Sequence, residues 1–176
     1  MRYTPAQLVE PRSMRRTKAP DHHYNHFNVA ATAKQLRDRG VRVMIGAHGQ
    51  REGLAAHWEM WMMEQGGFTP WQALRGATYD AAVHLGMSAD LGSIEAGKLA
   101  DLAIIDGDVL TDIRQSQNVT HTMLNGRLYA TDTMNEVVTG NRKRSDFFFE
   151  QPSGHLLPAS TAAAIEAKME RHHWRH

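Results

Sequence analysis

The 176-residue sequence contains no cysteine, which excludes disulfide bonds and thiolate metal ligands within this chain. No apolar run reaches the roughly 18 residues that a membrane-spanning helix requires, so no membrane partner is predicted. The formal net charge is only +1, and no basic stripe interleaved with aromatic residues occurs, so nucleic acid is not an expected partner. The 41% apolar and 22% charged residues indicate one globular core.

A second absence concerns phosphate binding. Gly92, Gly97 and Lys98 match most of a phosphate-binding loop, in which four residues separate two glycines and a lysine follows. That loop also requires Ser or Thr after the lysine and then a helix. Here Leu99 follows, and the next apolar run is typical of a strand. No nucleotide-binding residue is therefore predicted.

The pattern of apolar residues and glycines predicts a chain that passes from mixed α/β structure to β structure near residue 90. Thr69, Pro70 and Gln72 form a capping box that predicts a helix start at Pro70. Asn125 and Gly126 are a strong hairpin signal. The predicted helices cover about 25–39, 54–65, 70–76 and 78–86, and the predicted strands cover 41–45, a buried run at 102–105, 119–124 and 127–130.

Residues 92–102, Gly-Ser-Ile-Glu-Ala-Gly-Lys-Leu-Ala-Asp-Leu, strongly resemble the C-terminal signature of the amidohydrolase superfamily. The resemblance extends over roughly residues 20–140, through further matching segments at 40–46, 69–78, 106–113 and 119–127. The Gly-Ala-His-Gly-Gln run at 46–50 and the His-Trp-Glu run at 57–59 are similar to the branch that often follows a TolB-like or Tricorn-like propeller.

The resemblance implies an α/β plus β fold, made of the last unit or units of a (β/α)8 barrel and strands of the small β-sandwich domain. The predicted domains are an irregular basic segment at 1–20, the C-terminal piece of the barrel at 21–88, part of the composite β-sandwich at 89–140, and a linker with a C-terminal helix and tail at 141–176.

The strand predicted at 41–45 points its C-terminal end at His48, and in such barrels this end carries the reactive groups. In the resembling family an aspartate that binds metal or accepts a proton is expected there, and imidazole can do either. His48 is therefore the candidate catalytic and metal-binding residue, although it could equally hydrogen-bond the loop backbone. Gln50 and His26 are the candidate substrate-binding residues. His57, Trp58 and Trp61 are predicted to serve packing.

The resemblance implies a hydrolase acting on a C–N bond of an amide or dipeptide-like small molecule, with a divalent metal, zinc being expected. The sequence contains no His-x-His pair, and a closed barrel takes at least about 200 residues. The chain is thus predicted to be a C-terminal fragment, incomplete for catalysis alone, whose N-terminal barrel half is supplied in cis or in trans.

The alternative is a non-catalytic remnant, or an interaction module that pairs with a separately encoded barrel half. Localisation is not predicted, although family members with propellers are often exported.

Overall fold

A computed structural model describes residues 19–47, 53–147 and 150. The described residues up to Lys143 belong to one compact unit, and residues 144–147 and 150 belong to a second. The helices are α1 (His26–Asp38), α2 (Leu54–Gln65), α3 (Pro70–Ala77) and α4 (Tyr79–His84), with short 3₁₀ helices at Asp21–His23 and Ile113–Gln117. The strands β1 (Leu102–Ile105), β2 (Val119–Leu124) and β3 (Arg127–Ala130) form one antiparallel sheet in the order β1-β2-β3.

The predicted helix starts are confirmed. At α3 the backbone N–H of Gln72 donates to Thr69 Oγ1 (3.2 Å), and the backbone N–H of Thr69 donates to Gln72 Oε1 (3.0 Å). This reciprocal pair satisfies two of the donors that a helix N-terminus leaves free. Thr78 ends α3 and precedes α4, as its position in the sequence predicts.

The first two helices approach closely where α2 ends. Ala30 on α1 is buried, and a Cβ built on Gly66 would lie 2.4 Å from the Ala30 Cβ. A side chain at position 66 would collide with α1, so glycine at the end of α2 lets the two backbones meet.

A buried carboxylate ties three helices together. Asp80 of α4 is 2% exposed and accepts hydrogen bonds from Arg37 Nη1 of α1 and Arg75 Nε of α3, both at 3.0 Å. Burial alone would raise the pKa of Asp80, but the bonds from Arg37 and Arg75 and their positive charges hold the pKa below its ordinary value. Asp80 is therefore ionised at neutral pH and links α1, α3 and α4.

The described core joins the helices to the segment before the second strand. Ile113, in the 3₁₀ helix, is buried together with Met60 of α2 and Ala73 of α3. Trp61 Nε1 donates to the carbonyl oxygen of Ile113 (3.0 Å). The residues packed against this cluster are Ile45, Trp61, Met63, Leu74 and Ala77.

The sheet follows the sequence pattern closely. Leu102 pairs with Met123 across β1 and β2, and Leu124 pairs with Arg127 at the hairpin end of β2 and β3. Asn125 and Gly126 both have positive φ, 48° and 75°, as a type I′ hairpin turn requires. All three predicted strands of this region are confirmed.

Two expectations about strands are corrected. The sequence predicts a strand at 41–45, but residues 41–47 have no regular secondary structure in the described part of the chain. The backbone N–H of Ile45 instead donates to the carbonyl oxygen of Gly76 at 3.4 Å, so the segment lies against α3. A strand needs a neighbouring strand for its hydrogen bonds, and the described residues supply none beside 41–45.

The second correction concerns burial of β1. The sequence predicts a buried strand, but Ala103 and Ile104 are exposed, the latter at 39%. Ala103 and Ile104 are successive residues, so their side chains lie on opposite faces of β1, and neither face is fully covered within the described residues. In that part of the chain β1 lies at the edge of the sheet and pairs only with β2.

The second unit is represented by a short turn. Glu150 Oε2 accepts a hydrogen bond from the backbone N–H of Phe147 (2.8 Å) and pairs with the Arg144 guanidinium at 2.5 Å. None of the helices in the described part of the chain is both long and apolar enough to cross a membrane. The predicted domain boundaries, including the one between residues 88 and 89, stay predictions.

Candidate functional site

His48 and Gln50, the predicted catalytic and substrate-binding residues of the loop after 41–45, lie outside the described residues. The structure describes the chain on both sides of them, up to Ala47 and again from Gly53. Their predicted roles stay predictions, and the geometry below concerns the elements from which this loop departs and to which it returns.

A carboxylate holds the start of the loop. The backbone N–H of Gly46 donates to Glu59 Oε2 of α2 at 2.5 Å. Gly46 precedes His48 by two residues, so the covalent chain keeps the two Cα atoms within about 7 Å of each other. In the sequence, Glu59 stands out only as part of the His-Trp-Glu run at 57–59. Its signal was an acidic side chain on the helix that directly follows the loop.

His26 makes its described contact at the other end of α2. Its Nε2 forms a hydrogen bond with Oε1 of Gln65, 3.0 Å away. Gln65 is the last residue of α2, whereas the loop containing His48 leads into the first residue, and at 1.5 Å per residue the ends are about 16 Å apart. The structure thus ties His26 to α2 rather than to the loop start, and its substrate contact stays a prediction.

His57 and Trp61 serve packing, as predicted, whereas Trp58, for which packing was also predicted, is 38% exposed. His57 Nδ1 and Trp61 Nε1 each lie 3.1 Å from Oγ of Ser116, a fully buried residue of the second 3₁₀ helix. Burial lowers the pKa of His57 below its ordinary value, because it disfavours the charged imidazolium. His57 is therefore neutral near pH 7 and helps to fix α2 to the segment before β2.

The turn that resembles a phosphate-binding loop uses its lysine internally. Lys98 Nζ donates to the carbonyl oxygen of Ser88 (2.7 Å) and to Ser93 Oγ (2.5 Å), and Glu95 Oε1 lies 3.3 Å away. An ammonium group has three donors, and these three partners surround it. The structure gives no support to nucleotide binding at this turn.

The described residues do not fit a catalytic metal site. A catalytic zinc takes about three protein ligands and one water. Residues 19–47, 53–147 and 150 contain no group of three His, Asp or Glu side chains that could hold a metal ion. A metal site cannot be built from this part of the chain alone.

A known protein family matches most of this chain. The profile of the amidohydrolase family matches residues 13–129, which is most of the chain. The chain belongs to the amidohydrolase family. This family is generally metal-dependent. The match confirms the family that the turn at 92–102 resembles, while the propeller branch and the C-terminal position stay predictions.

Several relatives of this amidohydrolase are known. The imidazolonepropionase of Sphingopyxis alaskensis is 58% identical over 40 residues, which cover 23% of this chain and 10% of that protein. The ochratoxinase of Aspergillus niger is 32% identical over 94 residues, which cover 51% of this chain and 20% of that protein. These relatives are hydrolases that act on C–N bonds.

Solved structures agree on the fold. The crystal structure of a Xaa-Pro dipeptidase with bound methionine has a TM-score of 0.55 at 25% identity, covering 71% of this chain and 32% of that chain. A putative prolidase from Bifidobacterium longum has a TM-score of 0.51 at 27% identity, covering 66% and 28%. Such neighbours are TIM-barrel amidohydrolases, and the described helices and small sheet are consistent with part of a barrel. The amidohydrolase chain spans a third or less of these relatives.

Proposed function

We propose that this chain is the C-terminal part of a metal-dependent amidohydrolase that hydrolyses a C–N bond in an amide or dipeptide-like small molecule. One observation carries the proposal. The family match covers residues 13–129, yet the chain spans only 10% to 32% of the relatives compared above. The matched residues therefore correspond to a fraction of a complete enzyme.

The remaining barrel strands and most metal ligands are proposed to come from an N-terminal half, joined in cis or supplied in trans. Two features support this division. The described residues lack a group of three metal-ligating side chains, and residues 41–45 have no neighbouring strand among them. Zinc is the proposed metal because histidine and carboxylate ligands suit it. In the propeller branch the N-terminal half would also carry the propeller.

His48 is the residue of this chain proposed for the reaction centre. A neutral imidazole near pH 7 can bind a metal or take up a proton, and the position follows residues 41–45, which resemble a late barrel strand of the family in sequence. Gln50 in the same loop is proposed to contact the substrate through its side-chain amide. His26, whose Nε2 is hydrogen-bonded to Gln65 Oε1, is proposed as a further substrate contact.

The size of the native product tests whether this chain works with an N-terminal barrel half. An antibody raised against residues 141–176 is expected to detect, in the source cell, a band much larger than 19.8 kDa, or a 19.8 kDa band that co-purifies with a second barrel half. A lone 19.8 kDa chain without a partner would refute it.

The role of His48 is tested in that native product or complex. His48→Ala is expected to lower kcat on amide or dipeptide substrates by about 100-fold or more, as loss of a general base does. His84→Ala is the matched control, since His84 is an exposed histidine on α4. Equal effects of both substitutions would contradict the assignment.

The second candidate, a non-catalytic module that pairs with a separate barrel half, is favoured by an apolar groove. The groove has a volume of about 490 Å³ and is lined by apolar side chains of α4, the following turn and β1. Ile94 on its rim is 87% exposed. This candidate predicts a complex of the chain with a barrel half that hydrolyses none of these substrates, and hydrolysis by the complex would exclude it.

A further inference from the structure

We propose that a polar pocket between the end of α1, residues 40–42 and α3 binds a phosphate group. The guanidinium groups of Arg37, Arg42 and Arg75 line this pocket, which we call the arginine pocket. Its volume is about 260 Å³, which leaves room for several water-sized groups. All of its residues belong to the described part of the chain, and phosphate binding there requires no hydrolytic activity.

Two of the three guanidinium groups are held in fixed positions. The Asp80 carboxylate accepts from Arg37 Nη1 and from Arg75 Nε, both at 3.0 Å. The Arg37 side chain is only 13% exposed, and Arg75 Cζ lies 5.3 Å from the Trp71 ring centroid and 5.0 Å from that of Tyr79. A ligand therefore meets two guanidinium groups that are already in place, and its binding has to order few side chains.

The arginine pocket retains unused hydrogen-bond donors. A guanidinium group has five N–H donors, and Arg37 and Arg75 each give one to the shared carboxylate. Arg42 is exposed and has no partner among the described residues. Gln72 also lines the pocket, and its Oε1 accepts from the Thr69 amide, which leaves its NH₂ group as a donor. An anion in the pocket can thus accept several hydrogen bonds.

The charges in the pocket favour an anion although two carboxylates line it. Both oxygens of Asp38 accept from Lys34 Nζ, at 2.6 and 2.7 Å, and both oxygens of Asp80 are engaged by arginines. With Lys34 included, three guanidinium groups and one ammonium group face two carboxylates, an excess of two positive charges. A phosphate ester carries about −1.5 to −2 charges at pH 7, and arginine binds phosphate oxygens in pairs. A phosphate group therefore suits both the charge and the donors.

An aromatic surface adjoins the arginine pocket. A second pocket, lined by Trp71, Tyr79 and Arg75 among others, shares Arg75 with the first. The Trp71 side chain is 54% exposed, so a group esterified to the phosphate can contact its ring. Because aromatic rings attract one another beyond their buried area, an aromatic phosphate ester should bind more tightly than inorganic phosphate.

The test is an NMR titration of the full chain in which sodium phosphate replaces sodium chloride at constant ionic strength. The readout is the side-chain amide resonance of Gln72, which should shift and saturate. Sodium acetate, whose anion carries a single charge, should shift it with weaker affinity. Phenyl phosphate should bind more tightly than phosphate and should also shift the indole resonance of Trp71.

Three variants identify the pocket as the site. Arg42→Ala is expected to weaken phosphate binding by about tenfold, as loss of a charge-assisted hydrogen bond does. Arg42→Lys, which keeps the charge but not the paired donors, should give an intermediate affinity. Arg39→Ala is the matched control, because Arg39 is an equally exposed arginine nearby that does not line the pocket, and it should leave the affinity unchanged.

A Gln72 resonance that does not saturate with phosphate, or acetate binding as tight as that of phosphate, would overturn the proposal. Equal weakening by Arg42→Ala and Arg39→Ala would show only general attraction of anions and would also overturn it. The wild-type titration needs no variant, so misfolding of Arg42→Ala leaves the test decisive. Tighter binding of phenyl phosphate would support an aromatic phosphate ester as the ligand, whereas equal affinity for both would support free phosphate.

Discussion

Two short apolar runs in this chain look alike in sequence and differ in structure. Residues 41–45 and the strand Leu102–Ile105 are both rich in β-branched residues and bounded by residues that favour turns. Only the second is a strand in the described structure. Its partner β2 follows soon after it in the chain and pairs antiparallel, whereas the first was predicted to be a strand of a parallel barrel. Parallel strands need partners across long connections, so an identical local signal succeeds only where its partner is near.

The helical region, His26 to His84, also differs from the sheet region that follows in the kind of contact that holds it together. In the helical region, side chains form the important ties, such as Asp80 with two arginines and Glu59 with Gly46. In the sheet region, backbone ladders and the hairpin turn define the register. The helical region should therefore be sensitive to loss of single charges, and the sheet region to backbone geometry.

The largest loss of unfolding free energy is expected for Asp80→Ala. The substitution leaves the Arg37 and Arg75 guanidinium groups facing each other without their carboxylate, and breaking a buried ion pair costs about 3 kcal/mol of unfolding free energy. Urea denaturation followed by circular dichroism measures it. Asp38→Ala is the control, since its half-exposed carboxylate pairs with Lys34 on the surface, where such pairs contribute about 0.5 kcal/mol. If both variants lost the same unfolding free energy, the helical region would not depend specifically on its buried carboxylate.

Asp80 also predicts a pH dependence. Its pKa is lowered in the folded state from an ordinary value of 3.8. The stabilisation is therefore fully present above the unfolded-state pKa and is lost as the pH falls below it, through the folded-state pKa. Urea midpoints between pH 7 and pH 3 should fall more steeply in the wild type than in Asp80→Asn. Parallel curves would show that Asp80 is not the titrating group.

A smaller loss of unfolding free energy is expected for Ser116→Ala, a substitution between the helical region and the sheet region. The substitution removes a buried hydroxyl that accepts from Trp61 Nε1 and is hydrogen-bonded to His57 Nδ1, and an unsatisfied buried group costs about 2 kcal/mol. Tryptophan fluorescence during urea unfolding should report a shifted midpoint. A wild-type midpoint would show that the Ser116 contact does not join the regions, and Ser145→Ala, at an exposed position, is the control.

Gly76→Ala tests the contact of residues 41–45 with α3. Helix propensity alone would make alanine stabilising by about 1 kcal/mol. A Cβ at position 76, however, would lie 2.8 Å from the carbonyl oxygen of Val43. The expected net result is a destabilisation of about 1.5 kcal/mol, measured by thermal unfolding, with faster hydrogen exchange at Ile45. A stabilised variant would show that the segment does not lie on α3.

The smallest effect is expected in the hairpin. Gly126 has a φ of 75°, so Gly126→Ala should cost about 1 kcal/mol, while Gly126→Asn should cost less because asparagine tolerates this conformation. Thermal unfolding of the two variants measures the difference. If alanine and asparagine were equally tolerated, backbone geometry would not limit the sheet region.

Local signals allowed much of this fold to be predicted. The capping box at Thr69, the hairpin at Asn125 and the helix ends marked by glycine all depend on residues close in sequence. The two failures have one feature in common: both predictions assumed neighbouring structure, a strand beside 41–45 and a cover over β1, that the described residues do not contain. The sequence also could not show that Glu59 reaches Gly46, because their contact spans a loop whose course no local pattern specifies. His48 was found from its place after a predicted strand, and its role awaits experiment.

The lysine turn at 92–98 has a practical consequence for handling the protein. The Lys98 Nζ group is enclosed by Ser88, Ser93 and Glu95 and the side chain is only 10% exposed, so an electrophile has little access to this nitrogen. Lys143, by contrast, is exposed. Amine-reactive dyes or surfaces should couple at Lys143 and spare Lys98, which allows immobilisation without disturbing the turn from which the sheet begins.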